Sequence, residues 1–366
     1  MEETLEEKKS VKNISFDFSK YSIIPATAKI FLLQNLSVML KAGISLADAL
    51  NTLSEQVKNK KLKKILAKAT NTIREGKTLS ESFEPYSKDF GELFINMIKA
   101  GESSGRLEEV LNELYIQHKK DHTIVTKVRN AMIYPCIIIV AMLGISIFVL
   151  IFVLPTITGM FREMNTQLPI TTRVLIFVSD FMQEYGLYIL IVAVIILLIL
   201  YKSSKTKKGK NFFDRLLLKT PIVSSIISKI NLARASRSLC SLIKTDIAIV
   251  DTLNITSKVL GNSVFSQTFS ETAEKIKKGQ KLTSILKEYP KIFPGIFVQM
   301  VSVGEETGTL DNVLGNLADF YEEEVSQTMN NLPVIIEPIL MLLIGAGVAG
   351  IAVAVFMPIF SMTENM

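Results

Sequence analysis

Residues 90–114 read FGELFINMIKAGESSGRLEEVLNEL, and residues 293–317 read FPGIFVQMVSVGEETGTLDNVLGNL. The two stretches align without a gap at an offset of 203 residues, and the same offset relates the positions from Leu36 to Pro155 to their counterparts in the second half. A register kept over roughly 120 residues is typical of a duplicated domain. The sequence therefore predicts two copies of one unit, together with whatever separates them.

A glycine-containing turn lies at the centre of each copy, GESSGRL in the first and GEETGTL in the second. A glycine just past a helix can take a positive φ without steric cost. The motif therefore predicts a helix that ends at Gly101, a tight turn, and a second helix capped by Ser103 or Ser104. The candidate site residues of this repeat-motif turn are Gly101, Glu102, Gly105, Gly304, Glu305 and Gly308.

The two glutamates of the motif are its least explained feature. Capping of a following helix does not require glutamate at both position 102 and position 305. Two interpretations stay open: Glu102 and Glu305 have a purely structural role in the turn, or they make an exposed contact with a partner or with the other half of the chain.

Apolar residues recur at helical spacing through each copy, as Leu46, Leu50 and Leu53 do in the first. The segment 78–81, TLSE, matches a capping box that opens a short helix. The predicted fold class is all-α: two duplicated cytoplasmic six-helix bundle domains plus three transmembrane helices. The sixth helix of each antiparallel bundle is expected to continue toward a span.

Three uncharged runs indicate membrane spans, since about 20 apolar residues cross a bilayer core of roughly 30 Å. Basic residues flank the first two spans on the side of the repeats, whereas the loop between these spans has only Arg162 and Arg173. By the positive-inside rule, this distribution predicts that the repeats and the N-terminus are cytoplasmic and that the C-terminus is external. The predicted segments are a polar lead-in 1–26, a first repeat 27–130, a first span 131–157, an external loop with an interfacial helix 158–182, a second span 183–201, a second repeat 202–332, a third span 333–360 and an external tail 361–366.

The charge pattern points to lipid as a partner. The net charge of +6 is carried largely by lysines near the apolar runs, where anionic lipid and the positive-inside bias explain them. Basic residues interleaved with aromatic ones, as in a nucleic-acid groove, are not seen, so no nucleic acid is expected. The two cysteines, Cys136 and Cys240, do not suggest a disulfide framework.

Catalytic and metal-binding motifs are not apparent. The sequence contains no GxxxxGK[ST] phosphate loop and no nucleophile–base constellation. His118 and His122 stand one helical turn apart without a third ligand at the required spacing, so a solvated helix face is expected. Glu337, at the entrance to the third span, is expected to be interfacial. The chain is predicted to be no enzyme and to bind no cofactor and no metal.

Residues 36–50, LSVMLKAGISLADAL, and their copy at 239–253, LCSLIKTDIAIVDTL, carry a family resemblance together with the GExxGxL motif that runs into a span. Over residues 27–360 the chain resembles the type II secretion system F domain family. Members of this family are inner-membrane platform proteins of type II secretion systems and type IV pili. One departure is Asp246 in place of Gly43, so the second hairpin turn is expected to have a different shape.

The resemblance implies a non-enzymatic assembly platform in the inner membrane. Its implied partners are a hexameric motor ATPase, the pilin or pseudopilin subunits that are added to a fibre, other inner-membrane assembly proteins, and further copies of the chain in a homo-oligomer. Two alternatives from the residues alone are a small oligomeric transporter or channel with duplicated regulatory domains, and a membrane enzyme. The uncharged spans and the missing catalytic site argue against both.

The resemblance also gives the motif glutamates a testable role. If they contact a partner, Glu102→Gln with Glu305→Gln is expected to leave membrane level and melting temperature almost unchanged while sharply reducing fibre assembly or secretion.

Overall fold

The computed structural model describes residues 23–153, 155 and 170–364, and the regular elements within these ranges are helical. The predicted all-α class is confirmed. Most of the predicted lead-in, residues 158–169 of the predicted external loop and the last two residues of the tail lie outside the described residues.

The first repeat begins at Ala26, and its last helix runs on as a single element far beyond the bundle. A 3₁₀ turn at Glu84–Tyr86 and a π-helical turn at Val149–Val153 supplement the α-helices. Its helices are α1 Ala26–Lys41, α2 Leu46–Gln56, α3 Lys60–Arg74, α4 Leu79–Phe83, α5 Ser87–Phe90, α6 Glu92–Ser104 and α7 Leu107–Phe148.

Within the described residues between the two repeats lie two helices, α8 Ile170–Ser204 and α9 Lys207–Leu217. The second repeat then has the predicted six helices, whereas the first has one additional single-turn helix, α5. Its helices are α10 Val223–Lys244, α11 Ile249–Val259, α12 Ser263–Lys277, α13 Leu282–Lys287, α14 Gly295–Thr307 and α15 Leu310–Glu364.

The duplication holds at the level of helix boundaries. Three helix pairs, α2 with α11, α3 with α12 and α6 with α14, begin and end 203 residues apart. The pairs α4 with α13 and α7 with α15 begin at the same offset. Corresponding residues therefore start and stop the same helices in both repeats.

Contacts divide the described residues into two compact units. The first comprises the described residues up to Lys119 together with Thr245–Ile247. The second comprises the described part of the remaining chain, so it contains the second repeat and α7 from Lys120 onward.

The core of the first unit contains the apolar stripes seen in the sequence. Leu50 and Leu53 of α2 have no exposed surface, and burial of such a side chain contributes roughly 1.5–3 kcal/mol. Phe83, Phe90 and Phe94 form an aromatic cluster with ring centroids 4.7 to 5.3 Å apart. This cluster fixes the short helix α4 against α6.

Local hydrogen bonds explain where these helices begin. The predicted capping box is confirmed: the Thr78 hydroxyl accepts from the Glu81 amide, and the Glu81 carboxylate accepts from the Thr78 amide. The Ser45 hydroxyl caps α2 by accepting from the Asp48 amide at 3.2 Å.

The two hairpin turns share a left-handed residue. Gly43 has φ +81° in the first turn, and Asp246 has φ +58° at the corresponding place in the second. Aspartate tolerates this conformation better than most residues because its short side chain can hydrogen-bond locally. The predicted difference between the turns is therefore wrong at this position.

In the described part of the chain, three helices are long and apolar enough to cross a membrane, within Leu107–Val153, Asp180–Ser204 and Leu310–Gly350. The prediction that the last helix of each bundle continues toward a span is confirmed, because α7 and α15 each run from their bundle into an apolar segment long enough to cross a membrane. At 1.5 Å per residue, the 42 residues of α7 extend about 63 Å and the 55 of α15 about 83 Å.

Candidate functional site

The repeat-motif turn closes one helix and opens the next. Helix α6 continues through Gly101 to Ser104, and the left-handed residue that ends it is Gly105, with φ +70°. The Arg106 amide donates to the Gly101 carbonyl at 2.9 Å and the Gly105 amide to the Glu102 carbonyl, which is a Schellman motif. The predicted end of the helix at Gly101 is therefore wrong by one turn.

The copy has the same geometry. Gly308 has φ +71°, and the Thr309 amide donates to the Gly304 carbonyl at 3.0 Å. Gly304 is thus a helical residue of α14, like Gly101 in α6.

Gly101 and Gly304 are required for close packing and not for an unusual φ. A Cβ at Gly101 would lie 2.8 Å from Cγ2 of Val110, and one at Gly304 would lie 3.2 Å from Cα of Leu310. The first turn of α7 therefore leaves no room for a side chain at Gly101 unless Val110 shifts, and the first turn of α15 leaves little room at Gly304. By contrast, a Cβ at Gly105 would meet no atom within 4 Å.

Ser103 and Ser104 do not cap the following helix, contrary to the prediction. Their hydroxyls donate back into α6, to the carbonyls of Lys99 and Ala100, each at 2.9 Å. Serine inside a helix commonly makes this bond to the carbonyl four residues earlier.

Glu305 caps a different helix, the short α13. Its carboxylate accepts from the Leu282 amide at 2.8 Å, the Thr283 amide at 3.0 Å and the Thr283 hydroxyl at 2.5 Å. The N-cap residue of α13, Lys281, makes no side-chain cap. Glu305, which lies 23 positions after Leu282 and 22 after Thr283, therefore satisfies the first free amides of this helix.

Glu102 makes the corresponding bonds to α4. The Leu79 amide donates to its carboxylate, as do the Ser80 amide at 3.1 Å and the Ser80 hydroxyl at 2.6 Å. The capping box already satisfies the Glu81 amide, so the first three amides of α4 all have side-chain acceptors. Each glutamate thus joins the repeat-motif turn to the short helix of its own repeat.

These contacts shift the ionisation of Glu305. Burial alone would raise its pKa, but the hydrogen bonds from Thr283 and Leu282 and the charge of Lys281 outweigh burial and lower the pKa below its ordinary value. The ionised form is therefore the one that the fold stabilises.

The hydrogen bonds support the structural interpretation of the glutamates, while the partner contact stays a proposal. Glu102 is half-buried and also lines a cleft of about 500 Å³ beside α4 and α6, together with Glu84, Asn96 and Lys99. The second repeat has a cleft of about 430 Å³ beside α13 and α14, which Glu305 does not line.

The second unit contains an ion cluster that the sequence analysis missed. Lys120 of α7 donates to Glu322 at 2.8 Å and to Asp319 at 3.2 Å, both on α15. Arg237 of α10 donates to the same two carboxylates at 2.9 and 2.5 Å. The side chains of Arg237 and Glu322 are only 12% and 11% exposed.

Further contacts hold α7 in the same place. Asp121 accepts from Arg234 of α10 at 2.6 Å, Lys127 donates to Ser326 of α15, and Ile124 is buried in the apolar core of the second unit. Only the three-dimensional structure brings these groups together, because they come from helices more than 100 residues apart in the chain. The segment of α7 from Lys120 to Lys127 is thus clamped to α10 and α15.

The described residues contain no group of three or more histidine, cysteine, aspartate or glutamate side chains that could hold a metal ion. His118 and His122 both lie on α7 within this part of the chain.

The comparisons with known proteins agree with the duplicated architecture. The family described as "Type II secretion system (T2SS), protein F" matches residues 32–155 and 235–358, which are again 203 residues apart. The chain is 34% identical over 333 residues to the type IV pilus assembly protein PilC of Thermus thermophilus, covering 91% of this chain and 82% of that protein.

Of two further relatives, one is named as a type IV pilus protein and the other as a type II secretion protein. The type IV pilus assembly protein PilC of Myxococcus xanthus is 32% identical over 326 residues, covering 89% of this chain and 78% of the relative. The type II secretion system protein F of Vibrio cholerae is 32% identical over 334 residues, covering 91% and 82%.

Two duplicated helical bundles joined to membrane spans define a membrane protein of the pilus and secretion class. The chain belongs to the type II secretion system protein F family. Three apolar helices and this membership make it an inner-membrane protein. The names of its relatives describe assembly components and do not favour the transporter alternative.

Proposed function

We propose that the chain is a non-enzymatic inner-membrane platform protein of a type IV pilus or type II secretion machine. It couples a cytoplasmic motor ATPase to the assembly of pilin or pseudopilin subunits into a fibre. The observation that carries this proposal is the continuity of α7 and α15, each of which joins a helical bundle to a membrane span without a break.

A continuous helix can transmit a displacement of the bundle to the span. Sharp kinks occur mostly at proline, at glycine or at π-bulges. Helix α7 has neither proline nor glycine from Leu107 to Tyr134, and Pro135 is the first residue of either type in it. A force on the cytoplasmic part of α7 is therefore carried to the start of the span along a helical segment that contains neither of these residue types.

The ion cluster extends this coupling to the second repeat. Because Lys120 is held by Asp319 and Glu322, and these by Arg237, a movement of α10 or α15 also moves α7. Two spans thus respond to one displaced bundle.

The partners follow from the proposed role. The cytoplasmic repeats dock a hexameric motor ATPase, the spans receive pilin or pseudopilin subunits, and other inner-membrane assembly proteins and further copies of the chain complete a homo-oligomeric platform. The chain itself binds no nucleic acid and no cofactor, and the work comes from the ATPase. The relatives named as pilus assembly and secretion components support this proposal.

The proposed topology places residues 27–130 and 202–332 in the cytoplasm and the segments 158–182 and 361–366 outside. Its support is the positive-inside rule, with basic clusters before the first span and after the second. An ATPase can reach the repeats only in this orientation.

A cysteine scan tests the orientation. Single cysteines at Lys58 and Lys277, both exposed in their repeats, are expected to resist a membrane-impermeant thiol reagent in intact cells and to react after lysis. A cysteine at Asn165, in the predicted external loop, is expected to react in intact cells. The unmodified chain provides the background, because it already contains Cys136 and Cys240. Labelling of Lys58→Cys from outside would overturn the orientation and with it the docking role.

A further inference from the structure

Helix α9 is a short amphipathic helix directly after the second span. Its sequence is KKGKNFFDRLL, and at 100° per residue Phe212, Phe213, Leu216 and Leu217 fall on one side. The basic residues and Asn211 fall on the other side. This is the pattern of a helix that lies between an apolar and an aqueous phase.

Part of the apolar side of α9 is exposed, although Phe213 is half-buried. Phe212 is 65% exposed and Leu216 is 50% exposed, and Ile222 after the helix is 53% exposed. Burial of a large apolar side chain is favourable. These exposed apolar side chains beside a span would therefore be stabilised by an apolar environment.

The segment around α9 is strongly basic. Residues 202–219 carry six lysines and one arginine against one acid, a net charge of +6 that equals the formal net charge of the whole chain. The one acid, Asp214, is half-buried, and its carboxylate accepts from the Ser263 amide at 2.7 Å at the start of α12. With Asp214 counted, the segment keeps its net charge of +6 directly after the second span.

The start of α9 is held at the end of the span. Helix α8 ends at Ser204, and the Thr206 hydroxyl caps α9 by accepting from the Gly209 amide at 3.1 Å. A Cβ at Gly209 would lie 2.0 Å from the Ser203 carbonyl oxygen, so the first turn of α9 folds back against the end of α8.

Tyr201 in the last turn of α8 and Lys205 just after it are residue types that commonly lie at the membrane–water interface. The Lys205 ammonium lies 4.4 Å from the ring centroid of Tyr201, at the end of α8. Tyrosine and lysine at the end of a span are typical of the membrane–water interface. Helix α9 begins only two residues after Lys205.

We propose that α9 lies on the membrane surface, with Phe212 and Leu216 inserted at the boundary between headgroups and acyl chains and the basic side bound to anionic lipid phosphates. Each lysine or arginine close to an anionic membrane surface strengthens the attraction of the segment to that surface. The net charge of +6 in residues 202–219 therefore favours binding to anionic lipid. Through the Asp214 bond to α12, the helix also fixes the second repeat at the membrane. This inference is independent of the platform role and requires only that α8 spans the membrane.

Tryptophan fluorescence tests the proposal without background, because the chain contains no tryptophan. The variant Phe212→Trp is purified and placed in nanodiscs of phosphatidylglycerol and phosphatidylcholine. We expect blue-shifted emission, quenching by lipids brominated on the acyl chain, and protection from iodide. Asn211→Trp, one residue away on the polar side, is the matched control and is expected to show the opposite behaviour.

The lipid composition tests the role of charge. In nanodiscs of phosphatidylcholine alone, quenching of Phe212→Trp by brominated lipid is expected to decrease, and Lys208→Gln with Lys210→Gln and Arg215→Gln is expected to remove the dependence on anionic lipid. Equal insertion with and without anionic lipid would overturn the proposal. The proposal would also be overturned if Phe212→Trp and Asn211→Trp had the same emission in nanodiscs. If Phe212→Trp were then protected from iodide only in native membranes, a protein partner would cover this residue instead of lipid.

Discussion

The double substitution Glu102→Gln with Glu305→Gln is expected to lower the midpoint of thermal unfolding of the purified protein. Each glutamate accepts three hydrogen bonds from the start of a short helix. A glutamine keeps one accepting oxygen but places an NH₂ group opposite an amide donor. Loss of a helix cap costs about 1 kcal/mol, so a loss of about that size is expected in each repeat.

Acid should have a related effect on the second repeat. Because the pKa of Glu305 is lowered on folding, its contribution is present above the ordinary glutamate pKa and is lost as the pH falls through the lowered value. Thermal unfolding measured from pH 7 to pH 3 should therefore show a weaker decline for Glu305→Gln than for the unmodified chain.

Glu306→Gln is the control for Glu305→Gln, since Glu306 is its exposed neighbour on α14, carries the same charge and is not the residue that caps α13. It is expected to leave the midpoint nearly unchanged. Fibre assembly measured on the same variants separates the two interpretations of the motif. An unchanged midpoint with lost assembly in Glu102→Gln with Glu305→Gln would contradict the capping role and favour the partner contact.

Replacement of Arg237 by leucine is expected to have the largest effect on stability. The substitution leaves Asp319 and the nearly buried Glu322 with Lys120 as their remaining partner in the cluster. Removal of one member of a buried ion pair costs about 3–5 kcal/mol, and the 62% exposure of Asp319 places the expected loss at the lower end, about 3 kcal/mol. Thermal unfolding of the purified protein measures this loss.

A second substitution tests whether the loss of stability comes from the Glu322 carboxylate, which loses its bond to Arg237. Arg237→Leu with Glu322→Leu replaces the most buried pair by apolar groups, and it is expected to recover a large part of the stability. Lys275→Leu breaks the more exposed pair with Glu288 in the same unit and is expected to change the midpoint little. If Arg237→Leu behaves like Lys275→Leu, the cluster does not clamp α7.

Local signals in the sequence were sufficient for much of the fold. The 203-residue offset gave the duplication, the TLSE segment gave the capping box of α4, and the uncharged runs gave the three spans. Each of these depends on residues that are close together in the chain or on a comparison of the chain with itself.

The functional details of the turn depend on distance in space. The motif predicts a helix end at Gly101, but the helix continues past it, and the close approach of Val110 is what disfavours a side chain there. The amides that donate to Glu102 and to Glu305 lie, in each repeat, 23 and 22 residues before the glutamate. The ion cluster joins side chains from three helices. The recurrence of glutamate at both turns was the only sequence signal for any of these contacts, and it did not identify the partner.

The most direct test of the platform role is a binding measurement with the chain reconstituted in nanodiscs and a purified motor ATPase of its own pilus or secretion machine. The proposal predicts that the ATPase binds the reconstituted chain, while the chain alone shows no ATP turnover and no nucleotide-dependent thermal shift. Nucleotide binding at micromolar concentration by the chain alone, or ion flux through the reconstituted chain without any binding of the ATPase, would contradict it.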